Sequence, residues 1–285
     1  MRGAALRATD VSVAFGGLLA LDSVTLAVEP SEVVGLIGPN GAGKTTLFDC
    51  LTGLVPATGS VELLGRDVTR LAPHQRAAAG LGRSYQDARL FPTLSVLDCL
   101  RTAAELQMRH AGRLATVPGT PSARRGERDA LAGAEEIVDL LGLGGYAHKF
   151  VRELSTGTRR IVDLGCLLVQ RPAVILFDEP SSGIAQREAE ALGPLLLAIR
   201  ERTGAALLVI EHDMPLLMGI AERVYALETG RVIAEGLPGD VVHHPEVVRS
   251  YLGDDLAAIN RSGALGGRRR PLRAAGRTAK TTAKN

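Results

Sequence analysis

Apolar and polar positions alternate twice near the start of the chain, along Val11-Ser12-Val13-Ala14-Phe15 and Val24-Thr25-Leu26-Ala27-Val28, with Gly16-Gly17 between them. Period-two alternation predicts strands, and the paired glycines mark a turn. Glu32-Val33-Val34-Gly35-Leu36-Ile37 is a short apolar run and predicts a buried strand. Leu47, Leu51 and Leu54 follow at helical spacing. Val61-Glu62-Leu63-Leu64 predicts another strand, ended by Gly65, and the proline at position 73 suits the start of a helix over 73–79. From 95 to about 151 the period becomes helical: Leu97, Leu100 and Ala104 form one face, and Leu131, Ile137, Val138, Leu141 and Leu143 form a second. Between them, 112–128 is rich in Gly, Pro and Arg and predicts an exposed loop. Strands and helices then alternate: a helix over 157–170, a strand over 173–177, a helix near 186–202 and a strand over 205–210. Short strands near 223–227 and 231–234 and a small helix at 245–252 complete the series. This order predicts an α/β core with an inserted helical subdomain at about 87–156.

Composition adds a tail to this picture. The chain has 285 residues, 46% of them apolar, enough to bury a full core. Its net charge of +2 is unevenly spread. Residues 256–285 hold eight basic side chains (Arg261, Arg268, Arg269, Arg270, Arg273, Arg277, Lys280 and Lys284) and no acidic one, which leaves residues 1–255 at net −6. We therefore expect a mildly acidic folded domain over 1–255 and a basic, disordered tail over 256–285. Such a tail either holds the chain near anionic lipid or is a solvated segment with no task of its own. The acidic body argues against a nucleic-acid partner. Cys50, Cys99 and Cys166 have no metal-ligand or disulfide spacing and read as small buried thiols of a reducing compartment. No apolar run approaches the roughly 18–20 residues of a membrane span, and the first 13 residues lack the apolar middle of a signal peptide. A membrane role is expected to need a partner.

The candidate chemistry begins at Gly38-Pro39-Asn40-Gly41-Ala42-Gly43-Lys44-Thr45-Thr46, which fits G-x-x-x-x-G-K-[ST] between a predicted strand and a predicted helix. Glycines let backbone N–H groups curl around phosphate oxygens, and the helix N-terminus adds a positive dipole end. Lys44 can reach terminal phosphates, and the Thr45 hydroxyl can hold Mg²⁺. Lys44 is one of only four lysines beside 29 arginines.

Further along, Ala173-Val174-Ile175-Leu176-Phe177-Asp178-Glu179-Pro180 is an apolar strand ending in two acids, at the edge where open α/β sheets bind ligands. Asp178 would hold Mg²⁺ and Glu179 would polarise an attacking water; a strand-end helix cap is the alternative. Leu154-Ser155-Thr156-Gly157 opens a helix, so Ser155 is either an anion site or an ordinary cap. Gln86 can touch a metal-bound water or be a surface amide. His212 can hydrogen-bond a γ-phosphate or be structural. Phe15 can stack on a purine or lie in the core.

Taken in order, the phosphate loop, Gln86, Leu154-Ser155-Thr156-Gly157, Asp178-Glu179 and His212 resemble an ATP-binding-cassette ATPase over about residues 5–254. Phe15-Gly16-Gly17-Leu18-Leu19-Ala20-Leu21, Thr45-Thr46-Leu47-Phe48-Asp49-Cys50-Leu51-Thr52-Gly53, Tyr85-Gln86-Asp87-Ala88-Arg89-Leu90-Phe91 and Ile210-Glu211-His212-Asp213-Met214 are most similar to ATP-binding subunits of bacterial branched-chain amino acid importers. The resemblance implies a P-loop NTPase fold, a RecA-like core with an N-terminal antiparallel β subdomain and an inserted helical signature subdomain. It implies ATP and Mg²⁺ as cofactors, with Phe15, residues 38–46, Ser155 and Gly157 on nucleotide. Thr45, Gln86 and Asp178 would serve the metal, and Glu179, His212 and Gln86 would act in hydrolysis. It also implies a dimer of cassettes, each ATP lying between one chain's Lys44 and the other's Ser155. Membrane permease subunits would bind near residues 86–96, where Phe91, Pro92 and Leu94 offer apolar contacts, and a substrate-binding protein would act indirectly. The expected location is the cytoplasmic face of the cell membrane.

Two segments depart from the family pattern. Thr156-Gly157-Thr158 stands where Gly-Gly-Gln or Tyr-Gly-Gln is usual, and Ser182-Gly183-Ile184-Ala185 replaces the usual Gly-Leu followed by Asp or Asn. Both act across the dimer, which suggests pairing with a different cassette subunit; lineage drift is the alternative. Other functions to weigh are a lipid or drug exporter ATPase, a soluble cassette ATPase without a transporter, and a metabolite kinase.

Overall fold

The computed structural model describes residues 3–85, 90–110, 121–182 and 186–251. The basic tail, Gln86, and the departing positions Gly183, Ile184 and Ala185 lie outside them. Strands β1 (Leu6–Phe15) and β2 (Leu18–Val28) form an antiparallel hairpin whose closing pair is Phe15 with Leu18. Gly16 and Gly17 have φ of 53° and 91°, the positive values that a two-residue turn between right-twisted strands demands. With β4 (Thr58–Leu63) and β5 (Arg66–Asp67) they make a four-stranded sheet in the order β2-β1-β4-β5.

The second sheet has six strands in the order β10-β9-β3-β8-β7-β6. Its centre is β3 (Val33–Ile37), β8 (Ala206–Ile210) and β7 (Val174–Asp178), mutually parallel and buried at every position. A strand covered on both faces reads as an unbroken apolar run, and that is how these three read. Alternate side chains enter different cores. Val33, Ile37, Ile175, Phe177, Leu207 and Val209 face the helical side, whereas Val34, Leu36, Val174, Leu176, Leu208 and Ile210 join the core under the antiparallel sheet. The remaining strands are β6 (Leu81–Arg83), β9 (Arg223–Glu228) and β10 (Arg231–Gly236).

Helix α1 (Lys44–Thr52) follows β3 directly. It stops at Thr52, two residues before the expected Leu54, because Gly53 adopts φ 77° and donates its N–H to the carbonyls of Asp49 and Cys50. Helix α2 spans Pro73–Ala78. The helical block comprises α3 (Val96–His110), α4 (Pro121–Leu140) and α5 (Thr156–Leu168).

Here one expectation fails: the predicted loop over 112–128 is helical from Pro121 onward. Proline suits a first helical position. The single glycine at 126 costs only about 1 kcal/mol. Burial of Ala130, Ala134, Ile137 and Val138 outweighs that cost and carries the helix back through its polar start. Helix α6 (Gln186–Thr203) matches its expected range closely, and residues 245–251 are helical. Two further short helices, α7 (Met214–Ile220) and α8 (Pro238–Val242), had no predicted counterpart.

Candidate functional site

The phosphate loop leaves β3 at its C-terminal end and enters α1. Gly38 has φ 152°, and a Cβ there would lie 2.1 Å from the Leu227 carbonyl oxygen; Gly43 has φ 103° and its Cβ would meet the Ala20 carbonyl oxygen at 2.7 Å. Only glycine fits either place. No side chain caps α1, so its first-turn amides are left for an anion. Lys44 is buried, and its Nζ donates to the carbonyls of Gly38 (2.7 Å) and Pro39 (3.0 Å). Burial lowers the Lys44 pKa, and the nearby Glu179 and Asp178 carboxylates act against that shift. The Thr45 side chain lies on the exposed side of this turn.

Parallel pairing of β7 with β8 sets Asp178 beside Ile210, and the Glu179 N–H donates to the Ile210 carbonyl at 3.0 Å. Glu179 takes φ 50°, a left-handed conformation uncommon for a side-chain-bearing residue. Its Oε1 lies 2.8 Å from His212 Nε2, and both side chains are partly open to solvent. Asp178 is buried; its Oδ2 accepts from Arg83 Nη2 at 2.9 Å, whereas Oδ1 has no hydrogen-bond partner among the described residues. Burial raises its pKa, opposed by the Arg83 hydrogen bond and charge. With β8 between β3 and β7, the strands that lead into the loop and into the two acids lie two strand spacings, about 10 Å, apart, on either side of the crevice at their C-terminal ends.

A buried carboxylate oxygen without a partner fits a cation or its bound water. Among the described residues no group of three or more His, Cys, Asp or Glu could hold a metal by itself. Mg²⁺ at nucleotide sites needs only one or two protein oxygens besides phosphate. Thr45 and Asp178 meet that requirement.

Of the remaining candidates, Gly157 lines one pocket with Asp178 and Glu179, at the start of α5. Phe15 is 49% exposed, outside the core. Ser155 is the N-cap of α5, its side chain accepting from the Thr158 N–H at 3.1 Å and lying 2.9 Å from the Thr158 hydroxyl. Gly157 follows in the first turn of that helix. Phe91 is 64% exposed, outside the core. Cys50 and Cys99 are buried and Cys166 is partly so.

Sequence reasoning missed two residues. Arg83 is a buried arginine that joins Asp49 Oδ1 (2.5 Å) to Asp178 and lies over the Phe48 and Tyr85 rings. The signal was a cation at the end of an apolar strand three residues before Gln86. Glu211 is 1% exposed and accepts from the Ser181 N–H and hydroxyl, both at 2.7 Å, and from the His212 N–H at 3.1 Å. It clamps the segment after Glu179 to the end of β8.

Comparison with known proteins places this geometry. Residues 21–182, which carry the loop and both acids, match the family described as ABC transporter. The chain belongs to the ATP-binding-cassette transporter family. Residues 231–257 match a further family described as branched-chain amino acid ATP-binding cassette transporter. The chain is 37% identical over 250 residues to the high-affinity branched-chain amino acid transport ATP-binding protein LivG of Escherichia coli K12, covering 87% of this chain and 98% of that one. It is 35% identical to BraF of Pseudomonas aeruginosa, with the same coverage. Among solved structures, the ADP conformation of the cassette MJ1267 matches with a TM-score of 0.75 and 27% identity, covering 88% of this chain and all of that one. As a member of this family the cassette binds nucleotide, hydrolyses ATP and energises a transporter with membrane permease components. Among the described residues no helix is long and apolar enough to cross a membrane.

Proposed function

We propose that this cassette powers uptake of branched-chain or closely related amino acids from the cytoplasmic face of the cell membrane. The observation that carries its chemical half is the Glu179–His212 contact beside the buried Asp178 and across the crevice from Lys44. Residues 38–46 would cradle the phosphates, Lys44 would move from the Gly38 and Pro39 carbonyls to the terminal phosphates, and exposed Phe15 would stack on adenine. Mg²⁺, held by Thr45, Asp178 and Gln86, would neutralise charge between the phosphates. Glu179 would orient and polarise the attacking water, with His212 holding the carboxylate and reaching toward the γ-phosphate. The transport half rests on the likeness to LivG and BraF along nearly their whole length.

Ser155 and Gly157 would act on the ATP of a second cassette, and the departures at Thr158 and Ala185 favour a partner that is a different subunit. Permease helices would dock near Phe91, Pro92 and Leu94, and a substrate-binding protein would deliver cargo to the permease. The deciding experiment is ATP-driven leucine uptake by proteoliposomes holding the co-purified permease complex. Uptake lost in Lys44→Ala is the expected result; uptake equal to wild type would refute the reading. Equal ATP turnover per site by the isolated chain and the complex would sink the unequal-partner idea.

A further inference from the structure

The phosphate loop has a support that none of its motifs encode. The helical segment 245–251 returns along the outer side of the loop, and Pro39–Ala42 face Arg249 and Ser250 across a shared cleft. Val247 and Ser250 are buried and anchor the segment, and the Ser250 hydroxyl donates to the Val247 carbonyl at 2.9 Å. In the same segment, Tyr251 accepts the Gly38 N–H on its hydroxyl oxygen at 2.7 Å. Burial raises the Tyr251 pKa, so the group stays a neutral phenol.

Gly38 is the buried root of the loop and is held on three sides. Tyr251 takes its N–H, the Leu227 carbonyl fills the space where a Cβ would be, and its own carbonyl accepts from Lys44 at 2.7 Å. These contacts differ in what nucleotide does to them. Lys44 must leave the Gly38 carbonyl to reach a phosphate. The Leu227 contact is steric and gives no direction to the N–H. Among the described residues, the Tyr251 hydroxyl therefore makes the side-chain hydrogen bond that can hold the Gly38 N–H while Lys44 exchanges partners.

We propose that Tyr251 is a positioning residue for nucleotide binding, tying residue 38 of the phosphate loop to the C-terminal helical segment so that the loop is shaped before ATP arrives. The inference rests on the assignment of residues 38–46 to ATP. A preorganised site avoids ordering costs on binding, so loss of the tie weakens affinity rather than chemistry.

The test compares wild type, Tyr251→Phe and Lys44→Ala as full chains. Equilibrium binding of a fluorescent ATP analogue with Mg²⁺ is measured first, then ATP hydrolysis by the permease complex. Phenylalanine keeps the ring packing and deletes only the hydroxyl. Tyr251→Phe should weaken nucleotide binding roughly three- to tenfold, raise KM by the same factor and leave kcat within about twofold. Deuterium uptake should quicken over 38–43 and stay unchanged over 206–210. Wild-type affinity and KM in Tyr251→Phe overturn the proposal, as does a lower kcat at unchanged KM. A lowered melting temperature with unchanged KM assigns Tyr251 a structural role only and also overturns it. Wild-type chain that binds no nucleotide would instead remove the ATP assignment itself, a failure recognisable because Lys44→Ala would then make no difference.

Discussion

Lys44 is buried, its ammonium satisfied by two carbonyls of its own loop, and Asp178 across the crevice is buried against Arg83. Ser155 stands at the other extreme, an exposed cap whose described partners are the N–H and hydroxyl of Thr158 in its own helix. The first group is an internally balanced arrangement of charges, held by strands buried on both faces. The second is a helix end turned outward. A site assembled inside one chain can be finished by that chain's packing. The proposed role of Ser155 on a second cassette would require such an open end, whose geometry is completed only by the other surface. The same difference separates what can be tested on the isolated chain from what needs the complex.

The largest effect should come from Glu179→Gln, which keeps shape and removes the charge proposed to polarise water. ATP turnover in the complex should fall by about 10²–10⁴-fold with nucleotide binding nearly unchanged. A drop in binding of similar size would mean that Glu179 serves the ground state, and the contrast between the halves would need redrawing.

Thiol labelling sharpens the comparison, because α1 carries Cys50 and α5 carries Cys166. Burial pushes Cys50 up to about 11 and Cys166 up to about 12, from an ordinary 9.0. The thiolate is the reactive form, and a raised pKa leaves less of it at any pH below that value. At pH 8, alkylation in the native state should be about 10²-fold slower at Cys50 and about 10³-fold slower at Cys166 than in urea, read by mass spectrometry. Fast native labelling of Cys166 would show that α5 opens, despite its core contacts.

Arg83→Leu should cost about 3 kcal/mol in urea unfolding, because it strands the buried Asp178 carboxylate beside Asp49. A neutral result would show that the charges near Lys44 do not depend on one another. The smallest effect belongs to Ser155→Ala: about 1 kcal/mol of stability from the lost cap. If it also lowers turnover of the complex by more than that cap explains, Ser155 acts on nucleotide. If turnover follows stability alone, it is a cap and nothing else.

Much of this was legible in advance for identifiable reasons. The strands β3, β7 and β8 read correctly because a strand buried on both faces leaves a solid apolar run. Gly38 and Gly43 stand where their backbone geometry excludes other residues, which is why the loop pattern was visible as a spacing of glycines. The early part of α4 was misread because its composition is that of a loop, and only burial further along the helix holds it. Arg83 and Glu211 were passed over because a charged residue shows its role through partners far away in sequence: Asp178 is 95 residues from Arg83, and Ser181 is 30 from Glu211.

The sequence by itself determined the family, the alternation of strands and helices, and the nucleotide-handling motifs, since each depends on local spacing or on a residue type that nothing else can replace. Tertiary structure alone decided which groups face one another. The register of β7 on β8 brings Glu179 to His212, the buried Arg83 couples α1 to the strand that bears Asp178, and the returning C-terminal segment sets the Tyr251 hydroxyl on Gly38. Those pairings join residues from 33 to 213 positions apart. Side-chain patterns record how each stretch meets water, and only the folded chain records which stretches meet each other.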